Sequence, residues 1–322
     1  MLLMNFAKLF FKKKCIQIYL IFVFLATLIY LLNPYNALDT NFKNAYFRNK
    51  LSCLFHDKQA NTKLVYKYSS QSKHSPLILV GGSGRSGTTL MRTILDAHPD
   101  VNCGPESRII PDLLEVFKRF EYDEAKNETL DNALSSFIHH LLSTRTTKSS
   151  RLCAKDPNVV YFINYALRIF PSAKFVYMIR DGRDVAFSMM KRFKKDFDFK
   201  HMKKNLKEWN RLNSAANRQC VESRQSCIRV KYEDFIREPK ENMMRVANFL
   251  NLTWTDDFLR HNELIGSKIV VMDAEWSADQ VKKPIYTSSV HNWVGKIENY
   301  DKNEVRNDFF MLKEFGYDLE LE

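Results

Sequence analysis

Leu77-Ile78-Leu79-Val80-Gly81-Gly82-Ser83-Gly84-Arg85-Ser86-Gly87-Thr88-Thr89 sets an apolar run of β-formers against a glycine-rich turn. Beyond it Leu90, Met91, Ile94 and Leu95 recur at helical spacing, so the stretch reads as strand, turn and helix. Such a turn aims backbone N–H groups and the positive end of a helix at an anion. The nucleoside-triphosphate version of the motif is G-x-x-x-x-G-K-[ST], with a lysine for the β- and γ-phosphates. Counted from Gly82, that lysine position holds Thr88, followed by Thr89. The loop therefore suits a 5′-phosphate without a triphosphate tail, with Arg85 as its cation. The absent lysine argues against a kinase.

Outward from this loop, strands are expected at Leu77–Gly82, Lys174–Arg180 and Ser226–Tyr232. Helices are expected at Thr88–Ala97, Thr129–Leu142, Asn158–Phe170, Asp184–Lys195 and Glu241–Leu250. Strands alternating with helices imply an α/β fold: a P-loop-like parallel sheet flanked by helices, with ligands beyond the carboxyl ends of the strands. Arg180 lies at such an end. Ser188 and Arg192, four apart, share one face of the helix that follows. Two arginines and a hydroxyl converging there can grip a second phosphate. Two phosphate sites imply a nucleotide phosphorylated at both ends of its ribose.

The chain has 322 residues. Residues 15–32 carry no charge and just suffice to span a bilayer, whereas Lys8, Lys12, Lys13 and Lys14 precede them. No small-residue cleavage site follows, only Asn33-Pro34-Tyr35. The expectation is a cytoplasmic tail (1–14), a transmembrane signal anchor (15–32), a polar lumenal stem (33–75) and one lumenal domain (76–322). Sequons at Asn127 and Asn251 fit a glycosylated lumenal chain. Four cysteines of the folded part, Cys103, Cys153, Cys220 and Cys227, allow three disulfide pairings. Cys220–Cys227 is the natural short loop, which leaves Cys103–Cys153. The net charge of +12 attracts polyanions, but a lumenal domain argues against nucleic acid and for an anionic nucleotide, an acidic substrate or a membrane surface. No metal is expected, and His139-His140 reads as a helix-surface pair.

With these residues in view, the chain resembles the sulfotransferases that use 3′-phosphoadenosine 5′-phosphosulfate (PAPS), and among them the tyrosylprotein sulfotransferases of the Golgi apparatus. The resembling stretches are Val80–Gly82, Arg85–Asp100 (with Asp-Ala-His-Pro at 96–99), Cys103–Pro111, Cys153–Pro157, Arg180–Arg183, Ser277–Val281 and Trp293–Lys296. The resemblance implies that Arg85, Ser86, Gly87, Thr88 and Thr89 cradle the 5′-phosphosulfate and that Arg180, Ser188 and Arg192 bind the 3′-phosphate end. It adds Tyr232, Asn292 and the run Ser277, Ala278, Asp279, Gln280, Val281, Lys282, Lys283, Pro284, Ile285 and Tyr286 to the nucleotide site. Glu106 would be the catalytic base, with Lys155, Ser277 and Arg85 stabilising the transition state. Arg108, Ile109, Ile110, Pro111 and Asp112 would line a groove for acidic, tyrosine-containing protein substrates. The family also implies the pairs Cys103–Cys153 and Cys220–Cys227, and a homodimer.

The chain departs from the family pattern at Gly84, Pro105, Asp112, Trp276 and Asn292. None of these removes a catalytic group, so they bear on affinity and specificity. A Golgi carbohydrate sulfotransferase would share both phosphate sites, but the Cys103-Gly-Pro-Glu-Ser-Arg108 segment and Pro111 argue against it. A weakly active lumenal nucleotide- or peptide-binding protein finds support only in Asn292 and Asp112.

Overall fold

The computed structural model describes residues 73–119, 124–144, 151–272 and 275–321. The expected tail, anchor and nearly all of the stem lie outside the described residues. Five strands form one parallel sheet: β1 (Ile78–Gly82), β2 (Val101–Asn102), β3 (Arg151–Lys155), β4 (Lys174–Ile179) and β5 (Cys227–Lys231). Their spatial order is β2-β3-β1-β4-β5. β1 is central, pairing Val80 with Lys155 on one side and with Val176 on the other.

Successive strand residues point to opposite faces, and both faces are covered. Leu77, Leu79, Phe175, Tyr177 and Ile179 pack into one core. Ile78, Val80, Val176, Met178 and Val230 pack into the other. Helices α1 (Thr88–Asp96), α7 (Tyr232–Arg237) and α8 (Pro239–Phe249) cover the second face. The first is covered by α2 (Ile110–Lys118), α3 (Glu124–Ser143), α4 (Ile163–Ile169), α5 (Gly182–Arg192) and α6 (Phe199–Glu222). Shorter helices α9 (Ala278–Val281), α10 (Lys302–Asp308) and α11 (Phe310–Glu314) follow.

The three expected strands form, each one or two residues shorter than its expected range. Two others, β2 and β3, were not foreseen. The longest helix among the described residues, α6, was not foreseen either. It carries Met202, Leu206, Trp209, Leu212, Ala216 and Cys220 on its buried face. The expected helix Asn158–Phe170 divides into a 3₁₀ turn (Pro157–Phe162) and α4, because Phe162 leaves helical geometry at φ −126°. Disulfides join Cys103 to Cys153 and Cys220 to Cys227. Asn251 is exposed on a left-handed turn (φ +52°) after α8, and Asn127 lies in α3. Among the described residues no helix is long and apolar enough to cross a membrane.

Candidate active site

Four strand ends converge on one edge of the sheet. β1 delivers the loop 83–87, β3 delivers Lys155, β4 leads into Arg180, and β5 leads into Tyr232. Within the loop the Ser86 N–H donates to the Ser83 carbonyl at 3.0 Å. Arg85 (φ +72°) and Gly87 (φ +94°) both adopt left-handed backbone. That fold opens the loop into a concavity and turns the first amides of α1 toward it, with no side chain capping them.

Arg85 is the hub. Its Nε donates to Ser188 Oγ at 2.9 Å, Nη1 to Ser277 Oγ at 2.7 Å and to the Trp276 carbonyl at 3.0 Å, and Nη2 to Gln280 Oε1 at 3.0 Å. Burial, and then the neighbouring Arg180, push its guanidinium below its usual pKa. An anion bound between the two arginines would relieve the second of these effects. Arg180 donates to the Arg85 carbonyl at 2.9 Å and to the Ser289 carbonyl at 2.7 Å, and stacks over the Tyr232 ring at 4.7 Å. Arg192 lies over the Trp276 ring at 5.7 Å.

Two cavities meet here. The larger, about 530 Å³, is lined by the 83–89 loop, Glu106, Lys155, Asp156 and the Tyr161–Glu208 pair, among others. The smaller, about 40 Å³, lies between Arg180, Tyr232, Gln280, Val281 and the stretch from Lys283 to Tyr286. Arg85, Gly87 and Ser277 line both. In the larger one, Lys155 Nζ donates to Glu106 Oε2 at 2.9 Å, with the lysine side chain buried and the glutamate largely so. Asp156, next in sequence, has its carboxyl raised to about 6 by burial and then by Glu106.

A family model of the Sulfotransferase family matches residues 76–256, the segment that builds the sheet and most of this site. Protein-tyrosine sulfotransferase 1 of Danio rerio is 38% identical over 261 residues, which cover 77% of this chain and 74% of that protein. Protein-tyrosine sulfotransferase A of Caenorhabditis elegans is 35% identical, covering 77% and 68% respectively. The chain belongs to the protein-tyrosine sulfotransferase family. Among solved structures, the sulfotransferase domain from the curacin biosynthetic pathway superposes with a TM-score of 0.53 at 18% identity. That match covers 76% of this chain and 98% of the other. The sulfotransferase domain of the Synechococcus PCC 7002 olefin synthase gives 0.51 at 18%, covering 76% and 96%. Both likenesses are of fold.

In this sulfotransferase the residues singled out in the sequence fall into three groups. Arg85, Gly87, Thr88, Thr89, Glu106, Lys155 and Ser277 surround the larger cavity, with Arg108, Pro111 and Asp112 at its wall. Arg180, Tyr232, Gln280, Val281, Lys283, Pro284, Ile285 and Tyr286 surround the smaller one. The others line neither. Ser188 reaches the site through Arg85, and Ser86 is buried beneath the loop with its Oγ unpartnered among the described residues. Ile110 is buried in the core, whereas Ile109 is exposed. Ala278 is buried, Asp279 and Lys282 are exposed, and Asn292 accepts from Lys296 Nζ at 2.6 Å. Asp196, Asp198 and His201 lie close enough together to hold a metal ion, but Asp198 caps α6, and none of the three lines either cavity.

Sequence reading missed the supports beneath these groups. Asn213 on α6 donates to Ser83 Oγ at 2.9 Å and accepts from the Tyr177 hydroxyl at 2.5 Å, all in the interior. Trp209 Nε1 donates to the Arg180 carbonyl at 3.1 Å. Asp181 caps α5 and pairs with Arg183 at 2.7 Å, while its own N–H is held by Glu233. Only the Asp181-Gly182-Arg183 spacing carried a local signal.

Proposed function

We propose that the chain transfers the sulfuryl group of PAPS to tyrosine hydroxyls of protein substrates, with the nucleotide on the side of the smaller cavity, the acceptor in the larger one and Glu106 as base. The observation that carries this reading is the junction: Arg85, Gly87 and Ser277 line both cavities, and the Glu106–Lys155 pair stands on the acceptor side. The residues present fit a doubly phosphorylated nucleotide. Two neighbouring arginines, left-handed loop backbone with free amides, and the apolar Pro284-Ile285 wall beside Tyr232 and Tyr286 suit its anionic and aromatic parts.

The donor supplies a sulfuryl group whose bridging oxygen leaves with the nucleotide. A tyrosine hydroxyl has a pKa near 10, so attack on sulfur requires a base as the new O–S bond forms. Glu106 faces the acceptor cavity and takes that proton. Lys155 and Ser277 hold the bridging oxygen as its bond to sulfur breaks, and Arg85 draws the loop and the 276–280 segment together around it. The protein contributes positioning and charge, as in phosphoryl transfer.

The same proposal includes a single-pass type II protein of the Golgi membrane, supported by the uncharged run 15–32 behind four lysines and by two disulfides in the folded part. Exposed Lys191, Lys194, Lys195 and Lys200 support acidic acceptor segments. A homodimer is carried by the family resemblance alone. The test is labelled sulfate transfer from PAPS to an acidic tyrosine peptide by the full chain in detergent, beside Glu106→Gln. The variant is expected to lose roughly 10²-fold or more in kcat while keeping its nucleotide affinity. A Glu106→Gln rate within about threefold of wild type would refute the assignment of the base.

A further inference from the structure

Arg92, Glu275, Lys155 and Glu106 form a row of alternating charge that runs from α1 into the larger cavity. Arg92, fully buried, donates to Glu275 Oε1 at 2.6 Å, to Asp96 at 3.2 Å and to the Val270 carbonyl at 2.7 Å. Glu275 is buried as well, with a side chain only 3% exposed. Its Oε2 has no hydrogen-bond partner among the described residues, and the cation it faces is Lys155, at 3.5 Å. An unsatisfied buried carboxylate oxygen is rare and points to a role. Glu275 also governs the other side of the reaction centre. Its carbonyl accepts from the Ala278 N–H at 3.0 Å, and Ser277 stands two residues beyond it.

We propose that Glu275 is the positioning residue for Lys155, fixing the ammonium relative to Ser277 while Glu106 gains the acceptor's proton. This rests on the assignment of Lys155 to the departing oxygen. Three acidic groups surround Lys155: Glu106, Glu275 and the adjacent Asp156. Glu106 loses its negative charge when it takes the proton, and with it most of its pull on Lys155. Asp156 accepts through Oδ1 from the N–H of Asn158 at 3.2 Å, where it caps the 3₁₀ turn; its Oδ2 is also without a hydrogen-bond partner among the described residues, but the ion pairs of Lys155 are with Glu106 and Glu275. Glu275 is the acid left to hold the ammonium on the donor side. Arg92 locks Glu275 in turn, so α1, whose N-terminus carries the phosphate loop, is tied to the same row.

The experiment is a double-mutant cycle on kcat in the full chain: wild type, Glu275→Gln, Lys155→Met and the double variant, assayed with labelled donor at saturation. Glu275→Gln is expected to lower kcat about 30-fold or more in the wild-type background and less than about twofold beside Lys155→Met. The affinity for adenosine 3′,5′-bisphosphate should stay within about threefold throughout, reporting a folded site. Should Glu275→Gln fail that binding check, Glu275→Asp takes its place in the cycle, with a smaller loss that again vanishes without Lys155. Equal losses in both backgrounds would mean that Glu275 serves the fold alone and would overturn the inference, as would no loss in the wild-type background. A fully active Lys155→Met variant would remove the assignment of Lys155 itself, and this inference with it.

Discussion

Gly87 and Gly84 flank Arg85 in the phosphate loop, yet the structure assigns them opposite tolerances. At Gly87 the backbone has φ +94°, and a Cβ would come within 2.6 Å of Tyr232 Cδ2 and 3.1 Å of Cε2. Left-handed backbone costs a residue with a Cβ roughly 1–2 kcal/mol. Forcing a methyl against a packed ring adds about 1–3 kcal/mol. Gly87→Ala should therefore lose about 2–5 kcal/mol, which for a domain of this size lowers Tm by roughly 4–20 °C. Tyr232 cannot yield without disturbing Arg180, stacked on it at 4.7 Å, and the Ser289 hydroxyl at 2.8 Å. Affinity for adenosine 3′,5′-bisphosphate, measured by titration calorimetry, should fall at least tenfold, about 1.4 kcal/mol. Gly84 has nothing within 4 Å of its would-be Cβ and no positive φ. Gly84→Ala should melt at or slightly above wild type, by up to about 1 kcal/mol, through a stiffer unfolded chain, with the nucleotide bound as before. A Gly87→Ala protein that melts within about 2 °C of wild type and binds the nucleotide equally well would refute this account of the loop.

Asp156 offers a pH signature. Its carboxyl is raised from an ordinary 3.8 to about 6, so ionisation penalises the folded state; the penalty is absent below about pH 4 and complete above about pH 6, at roughly 3 kcal/mol. Asp156→Asn should therefore gain stability over wild type as pH rises through that window and match it near pH 4, and a difference constant from pH 4 to 7.5 in denaturant unfolding would count against it. Asn213→Ala strands the buried Tyr177 hydroxyl and Ser83 Oγ, costing about 2–4 kcal/mol by chemical denaturation. Adding Tyr177→Phe removes one of the stranded groups and should restore part of that loss; a fully additive double variant would mean the two do not act through each other.

The central α/β unit was legible because its signals are local. Leu77–Gly82 is a continuous apolar run, the glycines mark the turn, and Leu90, Met91, Ile94 and Leu95 fix the helix, so β1 and α1 differ from expectation by one residue at one end each. β3 gave no such signal: Arg151-Leu-Cys-Ala-Lys155 has three apolar residues between two cations, and only its place between β1 and β2 makes it a strand. α6 hid for the opposite reason. Its apolar positions keep helical spacing, but they are diluted among lysines, arginines and asparagines that face solvent. The phosphate loop, Glu106, Lys155 and Ser277 could be named through family motifs. The Arg92–Glu275 contact could not, because it joins residues 183 apart and nothing local to the family stretch that holds Arg92 points to Glu275.

The disulfide between Cys103 and Cys153 lies three residues before Glu106 and two before Lys155, so one covalent bond roots both members of that ion pair. Besides that bond, the two-residue ladder of β2 and the Glu106–Lys155 ion pair join the segment bearing Glu106 to β3, while the Cys103 and Gly104 amides donate to the Asp96 carboxylate of α1. On the proposed roles of Glu106 and Lys155, oxidation would tether the reaction centre as well as the fold. If Glu106 and Lys155 act as proposed, closing this bond would bear on activity as well as on stability, and an oxidising compartment favours its closure.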